Sequence, residues 1–91
     1  MAVYLITYDL KEHANSDEYV KLHEVIKSFG AWLHFLESTW LVDTNYNADT
    51  MSARIHEVYQ PEYHLVYKLT PADRQGWLHQ DAKNWITNRL G

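Results

Sequence analysis

Carboxylate and imidazole side chains stand at or near the ends of several apolar runs in this chain. Asp9 follows the run YLITYDL, and Asp43 closes the run TWLVDT. His34 and His64 lie in two further apolar runs. Carboxylate and imidazole ligands of this kind hold divalent cations such as Mg²⁺ or Mn²⁺, which stabilise phosphoryl transfer. If the fold brings them together, Asp9 and Asp43 are predicted metal ligands, and Asp9 is the predicted catalytic residue.

A plainer interpretation of each residue also fits the sequence. An aspartate at a strand end commonly accepts hydrogen bonds from the following loop, and a histidine on a half-exposed sheet face is commonly a surface or interface residue. The remaining histidines, which show no paired spacing such as H-E-x-x-H, are predicted to be solvated: His13, His23, His56 and His79. The chain has no glycine-rich phosphate loop and no G-x-S-x-G motif.

The elements that position these residues follow from apolar periodicity. Strands are predicted over 2–10, 31–36, 39–44 and 63–69, and helices over 16–29 and 78–90. A further helix is predicted where Met51, Ile55, Val58 and Tyr59 repeat at helical spacing. The second and third strands turn at Glu37 and Ser38 and form a hairpin.

Capping residues mark the helix ends. After the polar connection 11–15, Asn15 or Ser16 caps the first helix, and Gly30 ends it in the left-handed conformation. Asn47 caps the second helix, which ends before Pro61.

The order β-α-β-β-α-β plus a terminal helix predicts an α+β fold, a ferredoxin-like sandwich with an additional C-terminal helix, in one domain over residues 1–91. We expect the first and third strands to be central and parallel, with right-handed crossovers that place two helices on one face and leave the other face open. Parallel neighbours share an end, so Asp9, Asp43, Trp32 and the start of the fourth strand near His64 are expected to converge.

Period-two alternation assigns side chains to the two faces of this sheet. The residues expected beneath the helices are Tyr4, Ile6, Tyr8, Leu33, Phe35, Trp40, Val42, Leu65, Tyr67 and Leu69. The predicted binding face, on the open side, comprises Thr7, Trp32, His34, His64 and Lys68, together with Asp9 and Asp43. A slip of one residue in a strand would exchange its two faces.

Composition narrows the class of protein. The 91 residues include four Trp and seven Tyr but no Cys, which excludes disulfides and thiolate metal sites. No apolar run approaches the roughly 18 residues of a membrane span and no signal peptide is evident, so a soluble, cytoplasmic protein without a membrane partner is expected. The eight basic residues are scattered and the net charge is −4, which disfavours strong nucleic-acid binding by one protomer but leaves a groove built by a dimer open.

The N-terminal strand YLITYDL, with Asp9 at its end, resembles that of the CRISPR-associated small endonuclease subunit and the virulence-associated protein D superfamily. The runs AWLHFLESTWLV at 31–42 and GWL at 76–78 are most similar to the SinR-type proteins of that group. The resemblance implies a ferredoxin-like homodimer in which Asp9 of each protomer lies near the two-fold axis with a metal between them. It also implies nuclease activity on RNA or DNA for active members.

Two functions follow as expectations. The first is a non-catalytic homodimeric module that binds a nucleotide, nucleic acid or protein partner through its open sheet face. The alternative is a metal-dependent endonuclease, a phosphodiesterase acting on RNA or DNA with Mg²⁺ or Mn²⁺ held by Asp9. A homodimer is expected in both cases, because a half-apolar open face on so small a domain exceeds the exposed patch of a typical monomer.

Overall fold

The computed structural model describes residues 2–10, 16–60, 62–71 and 73–91. Within these ranges the elements run in the order β1 (Ala2–Tyr8), α1 (Ser16–Lys27), β2 (Gly30–Leu36), β3 (Thr39–Thr44), α2 (Ala48–Val58), β4 (His64–Lys68) and α3 (Gln80–Leu90). They form an α+β fold with a four-stranded antiparallel sheet and three helices in the described part of the chain. The predicted succession of strands and helices is confirmed.

Of the two predicted helix caps at Asn47 and Gly30, one is confirmed and the other is wrong. The Asn47 side chain accepts a hydrogen bond from the Thr50 backbone N–H at 2.8 Å, so the predicted cap of α2 is confirmed. The predicted left-handed cap at Gly30 is wrong, because α1 ends at Lys27 and Gly30 begins β2 with a φ of +157°. A Cβ at Gly30 would lie 2.2 Å from the Asp43 carbonyl oxygen, so glycine permits a close approach between β2 and β3.

Two predicted features lie outside the described residues. They are the connection 11–15 with its candidate cap Asn15, and the helix-ending Pro61.

The sheet has the strand order β2-β3-β1-β4, and every neighbouring pair is antiparallel. The central position of β1 and β3 is confirmed, but the prediction that they are parallel is wrong. Because α1 returns the chain so that β2 runs in the direction of β1, the hairpin at Glu37 and Ser38 must reverse β3 relative to β1. Val3 therefore lies opposite Asp43, and Thr7 lies opposite Thr39.

Alternate residues of β1 and β3 pack against α1 and α2 on one face of the sheet. The buried cluster on this helix face consists of Tyr4, Ile6, Tyr8, Leu22, Ile26, Phe29, Trp40, Val42, Met51, Ile55 and Tyr59. Trp40 is fully buried at its centre, as the sequence predicted.

A β-bulge reverses the predicted faces of β2. Leu36 pairs with Thr39 next to the turn, but the register shifts between His34 and Leu36, so His34 pairs with Trp40 and Trp32 with Val42. The extra residue places Trp32 and His34 on the helix face, contrary to prediction.

The faces of β4 are also reversed. His64 pairs with Tyr8 and Val66 pairs with Ile6, so His64, Val66 and Lys68 lie on the helix face. Leu65 and Tyr67 consequently lie on the other face, where they are 54% and 62% exposed. The predicted burial of these two residues beneath the helices is wrong.

Helix α3 covers part of the second face of the sheet, the face that was expected from the sequence to be uncovered. Arg89 of α3 donates to the Asp43 carboxylate at 3.1 Å, and Ala82 of the same helix is buried. Val3 and Leu41, which point away from α1 and α2, are only 4% and 5% exposed. The face is therefore closed over β3 and the start of β1 and remains uncovered along β4. No helix in the described ranges is both long and apolar enough to cross a membrane.

Candidate functional site

A groove at the end of β1 contains the predicted catalytic residue, Asp9. The Asp9 backbone N–H donates to the Tyr63 carbonyl at 3.1 Å, and the Tyr59 hydroxyl donates to the Asp9 carbonyl at 2.8 Å. The residues that line the groove are Thr7, Tyr8, Asp9, Tyr63, His64 and Leu65. The backbone of Asp9 is thus fixed on two sides while the residue remains exposed to solvent.

His64 lies in the same groove but is engaged with α2. Its Nε2 lies 2.6 Å from the Ser52 hydroxyl, and the direction of the proton in this contact depends on the tautomer. Burial lowers the pKa of His64, and the neighbouring His56 lowers it further, so the ring is neutral at pH 7. Because Nε2 is engaged with Ser52, only Nδ1 is left for another ligand. The main effect of the contact between His64 and Ser52 is to hold β4 against α2.

Asp43 lies at the opposite end of β1 from Asp9. It pairs with Val3, six residues before Asp9, and strand rise places the two carboxylates about 20 Å apart. The predicted convergence of Asp9 and Asp43 in one metal site is therefore wrong, and its cause is the antiparallel direction of β3. Asp43 instead forms an ion pair with Arg89, and both residues line a second groove that Lys68 also lines.

Within the residues that the structure describes, no group of three or more His, Cys, Asp or Glu side chains could hold a metal ion. A metal held by Asp9 would need ligands from water, a substrate or a second copy of the chain. This role of Asp9 stays a prediction.

Trp32 and His34, predicted for the binding face, belong to an aromatic cluster on the helix face. The His34 ring stacks on the Trp40 ring, with centroids 3.8 Å apart and planes within 7°. His23 from α1 meets His34 edge-on at 5.3 Å, and the Trp32 ring lies 5.4 Å from Trp40 with the Lys27 ammonium 4.8 Å above it. These residues pack β2 against α1 and do not contribute to the open face.

Hydrogen bonds extend the cluster to β1. The Trp40 indole N–H donates to the Tyr8 hydroxyl at 3.0 Å, and His23 Nε2 lies 3.5 Å from the same hydroxyl. Burial raises the pKa of Tyr8 despite the opposing effect of the Trp40 hydrogen bond. Burial also lowers the pKa of His23, as do the neighbouring His34 and Lys27. Both shifts favour the neutral forms of Tyr8 and His23 within the cluster.

The prediction that His23 is solvated is wrong, since this residue is half-buried. Its position four residues after Tyr19 and three before Ile26 places it on the apolar face of α1, and this spacing was the signal that sequence reasoning missed. His56 and His79 are exposed as predicted, and His13 lies outside the described residues.

The uncovered part of the open face is apolar and lies along β4. We call Tyr63, Leu65 and Tyr67 the β4 strip; they are 82%, 54% and 62% exposed. Thr7 lies beside it and its hydroxyl is 3.1 Å from that of Thr39. Of the five predicted binding-face residues, only Thr7 lies on this face, and sequence reasoning placed Leu65 and Tyr67 in the core.

Comparisons of the chain with protein-family models, with curated proteins and with solved structures gave no match. The conclusions about function therefore depend on the geometry above and on the resemblance of the N-terminal strand, which stays an expectation.

Proposed function

We propose that the chain is a non-catalytic homodimeric module that binds a second copy of itself through the uncovered part of its open sheet face. The observation that carries this proposal is the exposure of Leu65 and Tyr67 on a regular strand. Large apolar and aromatic side chains in a contiguous patch are typical of protein interfaces.

The fold assigned to the module is ferredoxin-like. Support comes from the alternation β-α-β-β-α-β and from the order β2-β3-β1-β4, in which two connections through helices flank one hairpin. In this arrangement α1 and α2 share one face, and the other face is available for α3 and for a partner.

The charges near the β4 strip favour a protein partner over a nucleic acid. Lys68 points to the helix face, and Arg89 is already paired with Asp43. A phosphate backbone is held chiefly by Lys and Arg side chains, which release the counterions condensed on the phosphates. Among the described residues the strip offers no row of such cations. A second copy of the chain would cover the strip with an identical apolar surface in a closed two-fold contact.

Charge substitutions in the strip test the proposal. Leu65→Glu or Tyr67→Glu should convert a wild-type dimer into a monomer in sedimentation velocity at tens of micromolar chain, with an unchanged far-ultraviolet circular dichroism spectrum. Val20→Glu is the matched control, because Val20 is 51% exposed but lies on α1. A wild-type monomer, or a dimer broken by Val20→Glu but not by the strip variants, would refute the proposal.

A second candidate function is the metal-dependent endonuclease acting on RNA or DNA. It is favoured by one observation, the exposed Asp9 whose backbone is held from both sides in a groove with His64. In a two-fold dimer the Asp9 residues of the two protomers would hold Mg²⁺ or Mn²⁺ together, as the resemblance implies. The ion would stabilise the charge that develops on the phosphate.

Asp9→Asn separates this candidate from the first. If Asp9 holds the metal, the substitution abolishes Mn²⁺-dependent cleavage of RNA or DNA and removes the rise in melting temperature that Mn²⁺ causes. Asp73→Asn is the control, since Asp73 is an exposed aspartate outside the groove. Wild-type protein that cleaves nothing with either ion, and whose melting temperature neither ion raises, would remove the enzymatic candidate and leave the first.

A further inference from the structure

Trp77 is completely exposed, although it carries the largest side chain of any residue type. It lies in the connection between β4 and α3, where its two neighbours Gly76 and Leu78 line a surface pocket and Trp77 itself does not. A wholly solvated indole leaves a large apolar area in contact with water, and Trp is one of the residues enriched among the central, energetically dominant contacts of protein interfaces. Trp77 is therefore a candidate contact residue for a partner molecule.

The neighbouring pocket suits an aromatic ring in size and in lining. Its volume is about 260 Å³, and a cavity of about 150 Å³ is enough to bind benzene. Leu78 and Ile86 supply half-buried apolar walls, and Arg74 and Lys83 stand beside them. The Arg74 guanidinium donates to the Gly91 carbonyl, which fixes one cationic wall in place.

The cations of the pocket complement the face of an indole. A guanidinium or ammonium over a Trp ring is attracted by the negative face of the ring. Helix α3, which carries Lys83 and Ile86 of the pocket, already contains such a pair. The Arg89 guanidinium lies 4.1 Å from the centroid of the Trp85 ring. Arg74 and Lys83 would make the equivalent contact with a Trp that enters the pocket.

We infer that Trp77 of each protomer inserts into the pocket of the other, between Leu78, Ile86 and the two cations. This inference rests on the proposed homodimer. Because Gly76 and Leu78 flank Trp77 in the chain, the inserting group and the receiving pocket are side by side. A two-fold axis that passes between them engages both copies at once and closes the contact. Gly76 places no side chain at this position, which leaves room for the partner's ring.

The exchange of the two rings supplies part of the area that a specific dimer buries. A buried Trp removes about 150–250 Å² from water, and each ring covers a comparable area of pocket wall, so the exchange of two rings buries about 600–1,000 Å². This range lies below the roughly 1,200–2,000 Å² of specific interfaces, so the remaining area has to come from further contacts, for which the β4 strip is the exposed apolar surface. Trp77 is then the anchor of the interface, and the strip supplies the surrounding apolar contact.

Truncation of the anchor tests the inference. Trp77→Ala should raise the dimer dissociation constant at least tenfold in sedimentation equilibrium, the loss expected at an interface hot spot. Trp32→Ala is the matched control: Trp32 is also an exposed tryptophan, at 42%, but it packs on the helix face and its loss should leave the dissociation constant unchanged.

A mixing experiment tests the reciprocity. Ile86→Trp fills the pocket, and Leu78→Trp is a second filling variant in case the first fails to fold by circular dichroism. Each filling variant alone and Trp77→Ala alone should dimerise weakly, because neither homodimer can form an exchange. An equimolar mixture should restore a heterodimer, since the filled protomer still supplies a Trp77 and the truncated protomer still supplies a free pocket.

The outcomes distinguish this inference from the proposed function. If Trp77→Ala dimerises as tightly as wild type while Leu65→Glu does not, Trp77 is not the anchor and the homodimeric module stands. If Trp77→Ala weakens the dimer but the mixture restores nothing, the reciprocal exchange is overturned. A wild-type monomer overturns both.

Discussion

Replacement of Trp40 by alanine removes the side chain at the centre of the core, and its cost can be worked from the contacts. Trp40 is fully buried and its indole N–H donates to Tyr8 at 3.0 Å. Truncating a buried Trp costs about 3–5 kcal/mol and losing a buried hydrogen bond adds about 1 kcal/mol. The sum, about 4–6 kcal/mol, compares with the roughly 5–14 kcal/mol that a chain of this length has in total at 0.05–0.15 kcal/mol per residue. The variant should therefore lose about a third of its free energy of unfolding if the total is at the upper limit, and all of it if the total is at the lower limit.

Trp32→Ala provides the comparison on the neighbouring strand. Trp32 is 42% exposed and loses only its contacts with Trp40 and Lys27, so we expect about 1–2 kcal/mol. Urea unfolding followed by far-ultraviolet circular dichroism gives both values. Equal losses, or a larger loss at Trp32, would refute the register in which the bulge of β2 places Trp32 at the margin of the core.

Three further outcomes follow from local geometry. Gly30→Ala should cost at least about 2 kcal/mol in urea unfolding, because its Cβ would lie 2.2 Å from the Asp43 carbonyl oxygen. A cost below about 0.5 kcal/mol would contradict the close approach of the strands. Asn47→Ala should cost about 1 kcal/mol through loss of the α2 cap, and an unchanged urea midpoint would show that the cap is not used. Burial lowers the pKa of His23 and His64, so below the unfolded value of about 6.5 the unfolded chain binds more protons and the free energy of unfolding falls as pH decreases. The double variant with glutamine at both positions should have a shallower dependence between pH 7 and pH 5, and an unchanged slope would refute this.

The order of the elements could be predicted from the sequence because local signals mark each one. Asn47 caps α2 with its own side chain, and the short polar pair Glu37 and Ser38 separates β2 from β3. The direction of β3 could also have been predicted from the order of the elements. The helical crossover makes β2 parallel to β1, and the hairpin then makes β3 antiparallel to both. The parallel arrangement expected for β1 and β3 overlooked this, and it accounts for the wrong pairing of Asp9 with Asp43.

The faces of the edge strands could not be predicted from alternation. The bulge between His34 and Leu36 occurs without a glycine that would mark it, and one extra residue exchanges the faces of Trp32 and His34. In β4 both faces carry apolar residues, so tertiary contacts rather than alternation determine which face packs against the helices. The contact between His64 and Ser52 on α2 holds His64 on the helix face and leaves Leu65 exposed.

Part of the candidate site could be predicted from the order of the elements, and part depends on the faces of the edge strands. Asp9 and His64 share a groove because β1 and β4 are neighbours, as the element order implied. The exposed strip on β4 became visible only when the faces were known. The exposure of Trp77 depends on the course of the connection to α3, which no periodic pattern in the sequence describes.

The central claim, that the uncovered open face binds a second copy of the chain, is tested most directly by isotope-filtered nuclear Overhauser spectroscopy on an equimolar mixture of labelled and unlabelled protein. Only contacts between protomers give cross-peaks in this experiment. We predict cross-peaks from the Leu65 methyl groups and the Tyr67 ring of one protomer to protons of the other, with none from Val20 on α1. Cross-peaks confined to α1, or no cross-peaks at concentrations where sedimentation gives twice the 10.8 kDa mass of one chain, would contradict the account.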